Sequence, residues 1–416
     1  MRGAARLVIG LILLGSSPAL LAADETDDER SSPLFLGWES EPAMDYGGRV
    51  VDSLQRGVSR AFVAMAPDSP GVAPAWEFPL GLVLSLVQHE VAGHGGRARE
   101  FSLDPSYGFG FDLSAYTTID REPRTNTEVA LLSVAGSEAS SVLAHRIVLD
   151  LHSARGAEGS SFPLALVSKL DLTLYVAGTP SPTSRDSRDD FTDGFEEGND
   201  VAVYLATRQA MRVDADPVDV WRRDYVIDFD DPELRDDWDE ARIAALWNAL
   251  DPALVLGAIA YFSDHVADGA RRIRAPGLRL SELVRLAAGT RGILGPHTVS
   301  RYLDLYLTTP AALVAVYVRD LVAAGERTWG GGLRLHALRL GGDWKLALQG
   351  DHWSEPEDVA DVDPGDGWHV GAEAEGTVAG GFGLSLKGGT KDAGFLPGLP
   401  IAEGAYFGTG LTYRLP

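Results

Sequence analysis

The stretch Leu80–Arg99 has the sequence LGLVLSLVQHEVAGHGGRAR, an apolar run that ends in two histidines and a glutamate. The apolar part predicts a helix that packs in the core, and His89, Glu90 and His94 follow within six residues at its polar end. Neutral imidazole is a good zinc ligand, and a neighbouring glutamate can take a proton from a water molecule that attacks a carbonyl. The stretch therefore predicts a core helix that carries a metal site, with the two histidines as ligands and Glu90 as general base.

The spacing of the two histidines predicts an irregular helix. Positions i and i+4 share one face of an α-helix, whereas position i+5 is displaced by roughly 140°. An ideal helix would therefore not direct His89 and His94 at one metal ion. One π-helical turn adds a residue and restores the alignment. Gly93 is well placed to absorb that distortion, because glycine tolerates unusual backbone angles.

The pattern H-E-x-x-G-H, formed by His89, Glu90, Gly93 and His94, resembles the zinc signature of the dipeptidyl peptidase III family. The resemblance covers about a dozen residues and implies a zincin-type zinc metallopeptidase. In that family a Glu-Glu pair on a helix some fifty residues further on begins the motif that supplies the third ligand. This chain has no such pair, and the corresponding stretch is Ala135-Gly136-Ser137-Glu138-Ala139.

Glu138 is the leading candidate for the third metal ligand. It lies on an otherwise apolar helix, where an unpaired carboxylate is costly to bury, and Gly136 and its small neighbours would let that helix approach closely. His145 and His152 follow at seven-residue intervals on the same face, as alternative ligands or as partners of the ligands. The competing interpretation is a polar stripe that faces solvent.

Several residues near the motif are candidates for substrate binding. Arg97 and Arg99 would bind a substrate carboxylate or pair with the candidate third ligand. The alternative is a solvated helix end with its cations near the C-terminus. Tyr107, Tyr116 and His265 could each stabilise an oxyanion, and the sequence does not choose among them.

The N-terminus predicts export. Residues 1–23 have a basic start, an apolar run at Leu7–Leu14 and small residues at a cleavage site, which is the pattern of a signal peptide. The apolar run is too short to span a bilayer. The chain contains 0 Cys, so protein ligands to zinc have to come from His, Asp and Glu. We therefore expect an envelope protein that is periplasmic or associated with the outer membrane.

Charge limits the classes of partner. The formal net charge is -24, which argues against nucleic acid and against electrostatic docking on anionic lipid. A peptide or protein substrate and peripheral association with the outer membrane remain as the expected partners. Two acidic stretches, 178–200 and 358–366, are interpreted as ordinary solvated loops.

The pattern along the chain predicts an α+β fold. A polar leader at 24–49 precedes a helical zinc-hydrolase domain at 50–324 and an antiparallel β region at 325–416. No apolar run reaches the length of a transmembrane helix. The predicted helices are Val51–Met65, Leu80–Arg99, Asn126–His152, Pro163–Ala177, Asp200–Arg212, Leu234–Leu250, Ala253–Asp268, Leu278–Ala288, Val299–Leu307 and Pro310–Ala324.

The C-terminal region is rich in glycine, and its apolar residues alternate with polar ones, as in Phe382/Leu384/Leu386. This period of two predicts antiparallel strands. Outer-membrane strands share the texture, but the four to six strands predicted here are fewer than the roughly eight that a transmembrane barrel needs. A small sheet packed on the helical domain is therefore expected.

Three functions follow from these patterns. The first is an exported zinc-dependent hydrolase, most readily a metallopeptidase. The second is a non-enzymatic envelope protein in which the β region docks on the outer membrane or on a partner and the His/Glu cluster is structural. The third, a metal-binding or storage module that uses the acidic loops, ranks last.

Overall fold

A computed structural model describes residues 33–65, 70–323, 326–341, 343–355 and 365–414. The predicted signal peptide at 1–23 and the leader as far as residue 32 lie outside the described residues. The described chain is α+β, as the sequence predicts, with its helices mostly in the N-terminal part and an antiparallel sheet towards the C-terminus.

Ten α-helices are present in the described ranges: α1 (Met44–Met65), α2 (Pro74–Val87), α3 (Gly95–Glu100), α4 (Asn126–His152), α5 (Ser161–Gly178), α6 (Arg188–Glu197), α7 (Asp200–Arg212), α8 (Pro217–Arg222), α9 (Pro232–Ala249) and α10 (Pro252–Ala260). Two π-helical segments continue α2 and α10, at Gln88–His94 and Tyr261–Ala267, and short 3₁₀ turns lie at Pro70–Val72 and Arg185–Ser187.

The strands are β1 (Pro33–Glu39), β2 (Pro105–Phe109), β3 (Ala115–Ile119), β4 (Ala157–Glu158), β5 (Arg272–Ile273), β6 (Leu278–Arg279), β7 (Arg285–Leu294), β8 (Val299–Thr308), β9 (Leu313–Ala323), β10 (Glu326–Gly341), β11 (Trp344–Ser354), β12 (Asp366–Ala379), β13 (Phe382–Lys391) and β14 (Gly404–Arg414). Two small two-stranded sheets, the hairpin β2–β3 and the pair β4–β5, stand apart from the main sheet.

The main sheet has ten strands in the order β1-β14-β13-β12-β11-β10-β9-β8-β7-β6. Strands β6 to β14 follow one another as antiparallel neighbours, and β1 from the start of the described chain pairs antiparallel with β14. The N-terminal strand therefore ties the two ends of the described chain together.

Helix α4 is the centre of the molecule. Most of its 27 residues are buried, which is the pattern of a helix covered on all sides, and the Thr125 side chain caps it by accepting a hydrogen bond from the Glu128 backbone N–H. It contacts the π-helical segment, α1, α5 and α7 on one side and strands β7–β9 on the other. Residues along α4 therefore connect the helical layer, which carries the metal-site motif, to the inner face of the sheet.

The predicted boundary between the helical and β regions, at residue 325, requires correction. The three segments predicted as helices over 278–324 form strands β6 to β9, so the main sheet has ten strands instead of four to six. In β8, Leu303 and Leu305 alternate with Tyr302 and Tyr306 on the opposite face. Because both faces of β8 carry large side chains with apolar rings or chains, the alternation of apolar and polar residues that indicates a strand is weak in this sequence. The predicted leader 24–49 likewise contains β1 and the start of α1.

One described stretch, Pro232–Ala267, is long and apolar enough to cross a membrane by length and composition, whereas the apolar runs in the sequence predict no such helix. Core helices pass the same test, and 44% of its most apolar window is buried. The stretch is also interrupted, because α9 ends at Ala249 and α10 begins at Pro252 after the capping residue Asp251.

Candidate metal centre

The predicted π-helical turn is present. Residues Gln88–His94 form a π-helical segment between α2 and α3, and His89, Glu90 and His94 come together as a group that could hold a metal ion. The Nε2 atoms of His89 and His94 lie 3.1 Å apart. The extra residue in the turn thus brings the i and i+5 side chains to one face.

Asp200, at the start of α7, completes a three-atom cluster with the two histidines. Its Oδ2 atom lies 3.2 Å from Nε2 of His89 and 3.4 Å from Nε2 of His94. Three ligands of a tetrahedral zinc ion at 2.0–2.1 Å are separated from one another by about 3.3 Å. The three atoms therefore have the mutual spacing of a zinc ligand set.

Glu90 also lies in this group, where the candidate ligand atoms are within 4.8 Å of one another, but Asp200 approaches the histidines more closely. The Oε2 atom of Glu90 instead accepts a hydrogen bond of 2.7 Å from the hydroxyl of Thr117 on β3. We therefore assign Asp200 as the third candidate ligand, and Glu90 as a carboxylate beside the metal position.

His89 has more polar neighbours than its ring can bind. Its Nδ1 atom lies 2.9 Å from Oδ2 of Asp171 on α5, while its Nε2 atom is approached by His94, Asp200 and the Tyr175 hydroxyl at 3.2 Å or less. A ring nitrogen takes part in one hydrogen bond as donor or as acceptor. Three polar atoms converge on this one nitrogen, an arrangement that a cation between them could satisfy.

The same neighbouring groups shift the pKa values of His89 and Tyr175. Burial lowers the pKa of His89, but the carboxylates of Asp171 and Asp200 outweigh that effect and raise its pKa well above the ordinary value. Burial, followed by the charge of Asp200, raises the pKa of Tyr175. A concentration of negative charge at this point favours a cation.

Both candidate histidine ligands are oriented through their second ring nitrogen. Asp171 accepts from Nδ1–H of His89, and the carbonyl oxygen of Leu132 on α4 lies 2.6 Å from Nδ1 of His94. Metal-binding histidines characteristically donate this proton to a carboxylate or a backbone carbonyl, which directs Nε2 at the metal. Here the carboxylate is that of Asp171 and the backbone carbonyl is that of Leu132.

Two glycines allow α4 to pack directly on the π-helical segment. A Cβ atom at Gly93 would lie 2.6 Å from the carbonyl oxygen of Ala135, and one at Gly136 would lie 2.1 Å from Nε2 of His89. Both distances are below any real Cβ contact. The close approach expected of Gly136 is therefore present. Gly93 does not have a positive φ, so its contribution is the space that its missing side chain leaves for Ala135 and not an unusual backbone angle.

The structure places Glu138, the third ligand predicted from the sequence, in a different cluster. Its carboxylate accepts hydrogen bonds from the Nε and Nη2 atoms of Arg97 and from the backbone N–H of Gly398, and both charged side chains are fully buried. Arg97 also donates to Glu100 at 2.6 Å. The predicted pairing of Arg97 with Glu138 is thus present, but it joins α3 and α4 to the 398 loop and does not reach the histidines.

The remaining candidates, Arg99, Tyr107 and Tyr116, lie on α3 and on the β2–β3 hairpin. Arg99 pairs with Glu41 at 2.8 Å and donates to the hydroxyl of Tyr107 at 2.7 Å, next to α3. Tyr116, at the other side of the β2–β3 hairpin, is exposed. The structure therefore offers a different tyrosine, Tyr175, whose ring stacks on His89 at 5.0 Å between centroids.

The other histidines predicted as candidates belong elsewhere. His145 lines a cavity between α4 and the inner face of the sheet, His152 stacks on Tyr306 at 4.7 Å, and His265 contacts Glu77 at 3.2 Å. None of the three shares the metal cluster found among the described residues.

Sequence reasoning missed Asp171, Asp200, Tyr175 and Thr117. Asp171 carried the same signal as Glu138, because it is an acidic residue in the predominantly apolar helix α5. Asp200 was included in a stretch interpreted as a solvated loop, yet it begins a helix whose next ten residues are all buried. The burial of that helix is what carries Asp200 into the interior.

Comparisons of the chain with protein-family models, with curated proteins and with solved structures found no match. The function is therefore argued from the geometry of the site.

Proposed function

We propose that this chain is a zinc-dependent hydrolase, most readily a peptidase, in which His89, His94 and Asp200 hold the metal. The observation that carries the proposal is the set of separations of 3.1, 3.2 and 3.4 Å among Nε2, Nε2 and Oδ2. Two imidazoles and one carboxylate are a ligand set of catalytic zinc sites, which leave a fourth position for water or substrate. Both histidines also have the outer hydrogen-bond partners that such sites use.

When bound, zinc would supply a Lewis acid that polarises a carbonyl and makes a water molecule more acidic. Glu90 would act as the general base and accept a proton from the attacking water. Its carboxylate is fixed by Thr117, and Glu90 could return the proton to the leaving group. The Tyr175 hydroxyl lies beside the ligand cluster and could donate a hydrogen bond to the oxygen on which negative charge develops.

The first test is metal content. Purified full-length chain is expected to contain about one zinc ion per chain by elemental analysis, and His89→Ala is expected to lose it. Retention of zinc by that variant would overturn the assignment of the metal centre.

The second test separates the base from the ligands. Glu90→Gln keeps the shape of the side chain but cannot accept the proton, so it should retain zinc and thermal stability. Hydrolysis of a peptide library, followed by mass spectrometry, should fall by at least roughly 10²-fold. Glu282→Gln, in the turn between β6 and β7, is a matched control, since this glutamate is exposed and distant in sequence from the motif and from Asp200. Equal cleavage by the parent and Glu90→Gln contradicts the role of Glu90.

The alternative is a non-enzymatic envelope protein in which the same cluster is structural. The large sheet carries exposed apolar residues on its outer face, among them Leu305 and Val370, and these favour the membrane-associated part of that alternative. An enzyme could be membrane-associated in the same way. Metal binding without any cleavage by the parent chain would favour the structural role. Export, with a periplasmic or outer-membrane location, forms part of the proposal in both cases.

A further inference from the structure

The inner face of the ten-stranded sheet is charged. Arg291 on β7 forms a bidentate pair with Asp304 on β8, with two contacts of 2.8 Å. On the strands near the other edge, Glu373 contacts Arg49 of α1 at 2.7 Å, and Lys387 pairs with Glu39. These side chains are largely buried, and they satisfy one another between the sheet and the helices.

The outer face of the same strands is apolar. Leu305 on β8, Val318 on β9, Val370 on β12 and Leu411 on β14 are each between 45% and 59% exposed. A sheet in contact with water normally has the opposite polarity, with apolar residues inside and polar residues outside. Contiguous apolar surface of this extent marks a contact with something other than water.

Charged side chains on the outer face, within the described parts of β8 to β14 and β1, are confined to one end. Arg301 and Asp320 face each other there across β8 and β9, and Arg301 also pairs with Glu240 of α9 at 3.0 Å. The middle of the face therefore has no charge that could complement a polar partner.

The dimensions and the aromatic residues of the face match a bilayer. Strands β8, β9, β13 and β14 contain 10, 11, 10 and 11 residues, and a tilted strand needs about 9–11 residues to cross the hydrocarbon core. Exposed aromatic side chains lie towards both ends of the strands. Trp38, Trp329, Trp368 and Phe407 are at one end, and Phe382 and Tyr413 at the other. Aromatic residues at two levels are typical of the two membrane–water interfaces.

Helices beside the two ends of the sheet carry further exposed apolar residues. Helix α1 packs against β1, and α10 packs against β7. The outward residues of α1 include Leu54, Val58 and Phe62, four positions apart, and α10 presents Val255 and Ile259. Unpaired strand edges are not tolerated in hydrocarbon. On the β7 side, the Asn248 amide binds the backbone N–H and carbonyl of Gly292, and Asp251 accepts a hydrogen bond from the backbone N–H of Thr290, so these backbone groups are paired.

We propose that the outer face of the sheet, together with the outward faces of α1 and α10, is embedded in the hydrocarbon core of a lipid bilayer. The charged inner face then lies on the protein side of the sheet, away from lipid. This proposal is independent of the proposed hydrolase, because it uses none of the metal-site residues.

The absence of cysteine from the chain makes a direct test possible. Leu305→Cys and Leu411→Cys are labelled with a nitroxide in the full-length chain, reconstituted in vesicles of phosphatidylethanolamine and phosphatidylglycerol. Val213→Cys, just after α7 and 65% exposed, is the control. The labels on the sheet should collide more often with oxygen, which concentrates in hydrocarbon, than with a water-soluble nickel chelate. The control label should show the reverse preference.

A second variant measures how much a charge on the outer face disfavours insertion into the bilayer. Leu305→Arg places a charge in the middle of the face and should shift the insertion equilibrium towards the free protein by roughly 30-fold or more, whereas Val213→Arg should not. The proposal is overturned if the sheet labels meet the nickel chelate as often as the control label. It is also overturned if an alkaline carbonate wash releases the chain from vesicles. Sheet labels that are shielded from both reagents, in a chain that sediments as a dimer, would instead identify a second copy as the occupant.

Discussion

The sequence pattern predicts Glu138 as the third ligand, whereas the geometry assigns Asp200, and exchanging each carboxylate for its amide tests the two assignments. Asp200→Asn removes the charged oxygen that lies 3.2 and 3.4 Å from the histidine nitrogens. Loss of an outer hydrogen-bond partner already costs 10–100-fold in metal affinity, so loss of a direct ligand should cost more than about 100-fold. Glu138→Gln should leave zinc affinity unchanged, because both oxygens of Glu138 are bound to Arg97 and Gly398.

Stability should respond in the opposite order. Glu138 and Arg97 are both fully buried, and breaking such a pair by removing one charge typically costs 3–5 kcal/mol. Arg97 keeps its contact with Glu100 at 2.6 Å, which places the expected cost at the lower limit, about 3 kcal/mol. Asp200 has an exposed fraction of 19%, and its replacement should change the stability of the metal-free chain much less.

The assay is competition for zinc with a chelating dye at a temperature well below unfolding, combined with thermal melts of the metal-free proteins. The expected pattern is a crossed one, in which Asp200→Asn loses affinity and Glu138→Gln loses stability. If Glu138→Gln weakens zinc binding as much as Asp200→Asn does, the assignment made from the geometry is refuted.

Three further predictions use residues around the site and at the sheet. Gly136→Ala should block zinc binding without removing a ligand, because its Cβ would lie 2.1 Å from Nε2 of His89. Gly178→Ala is the control, since its Cβ meets no atom within 4 Å, and zinc titration of both variants checks the prediction. Asp171→Asn should weaken zinc binding by roughly 10–100-fold, through loss of the carboxylate that orients His89, and unchanged affinity would contradict that role. Burial, with the charge of Arg208, lowers the pKa of His297 to about 3 from an ordinary 6.5. Between pH 6.5 and pH 3 the unfolded chain therefore binds a proton at His297 that the folded chain does not bind. Lowering the pH from 7 to 5 should reduce the free energy of unfolding by about 2 kcal/mol through this residue. His297→Gln should lack this part of the acid sensitivity in thermal melts.

The local features of the candidate site were predictable because they depend on neighbours in sequence. Helices Asn126–His152 and Asp200–Arg212 have the bounds that periodicity and capping indicate, and the spacing of His89 and His94 correctly implied a π-helical turn. The third ligand depended on which of several acidic residues the tertiary fold brings to the histidines. Glu138, Asp171 and Asp200 are each an acidic residue in or at the start of a buried helix, and burial alone does not rank them.

The strands over 278–323 were mistaken for helices for a related physical reason. The periodicity of a sequence shows at what interval apolar residues recur, but it does not show whether a given face contacts water, lipid or the protein core. In β8 the inward residues Tyr302 and Asp304 contact other buried polar groups, and the outward Leu303 and Leu305 are exposed. A chain folding in water would bury those leucines, which is the assumption behind the helical prediction. When the exterior is hydrocarbon, the same alternation is stable with its faces exchanged, since the charged side chains have partners inside and the apolar ones have lipid outside. The polarity of the strands is therefore the strongest argument for the proposed membrane-embedded face, and labelling at Leu305 tests that proposal directly.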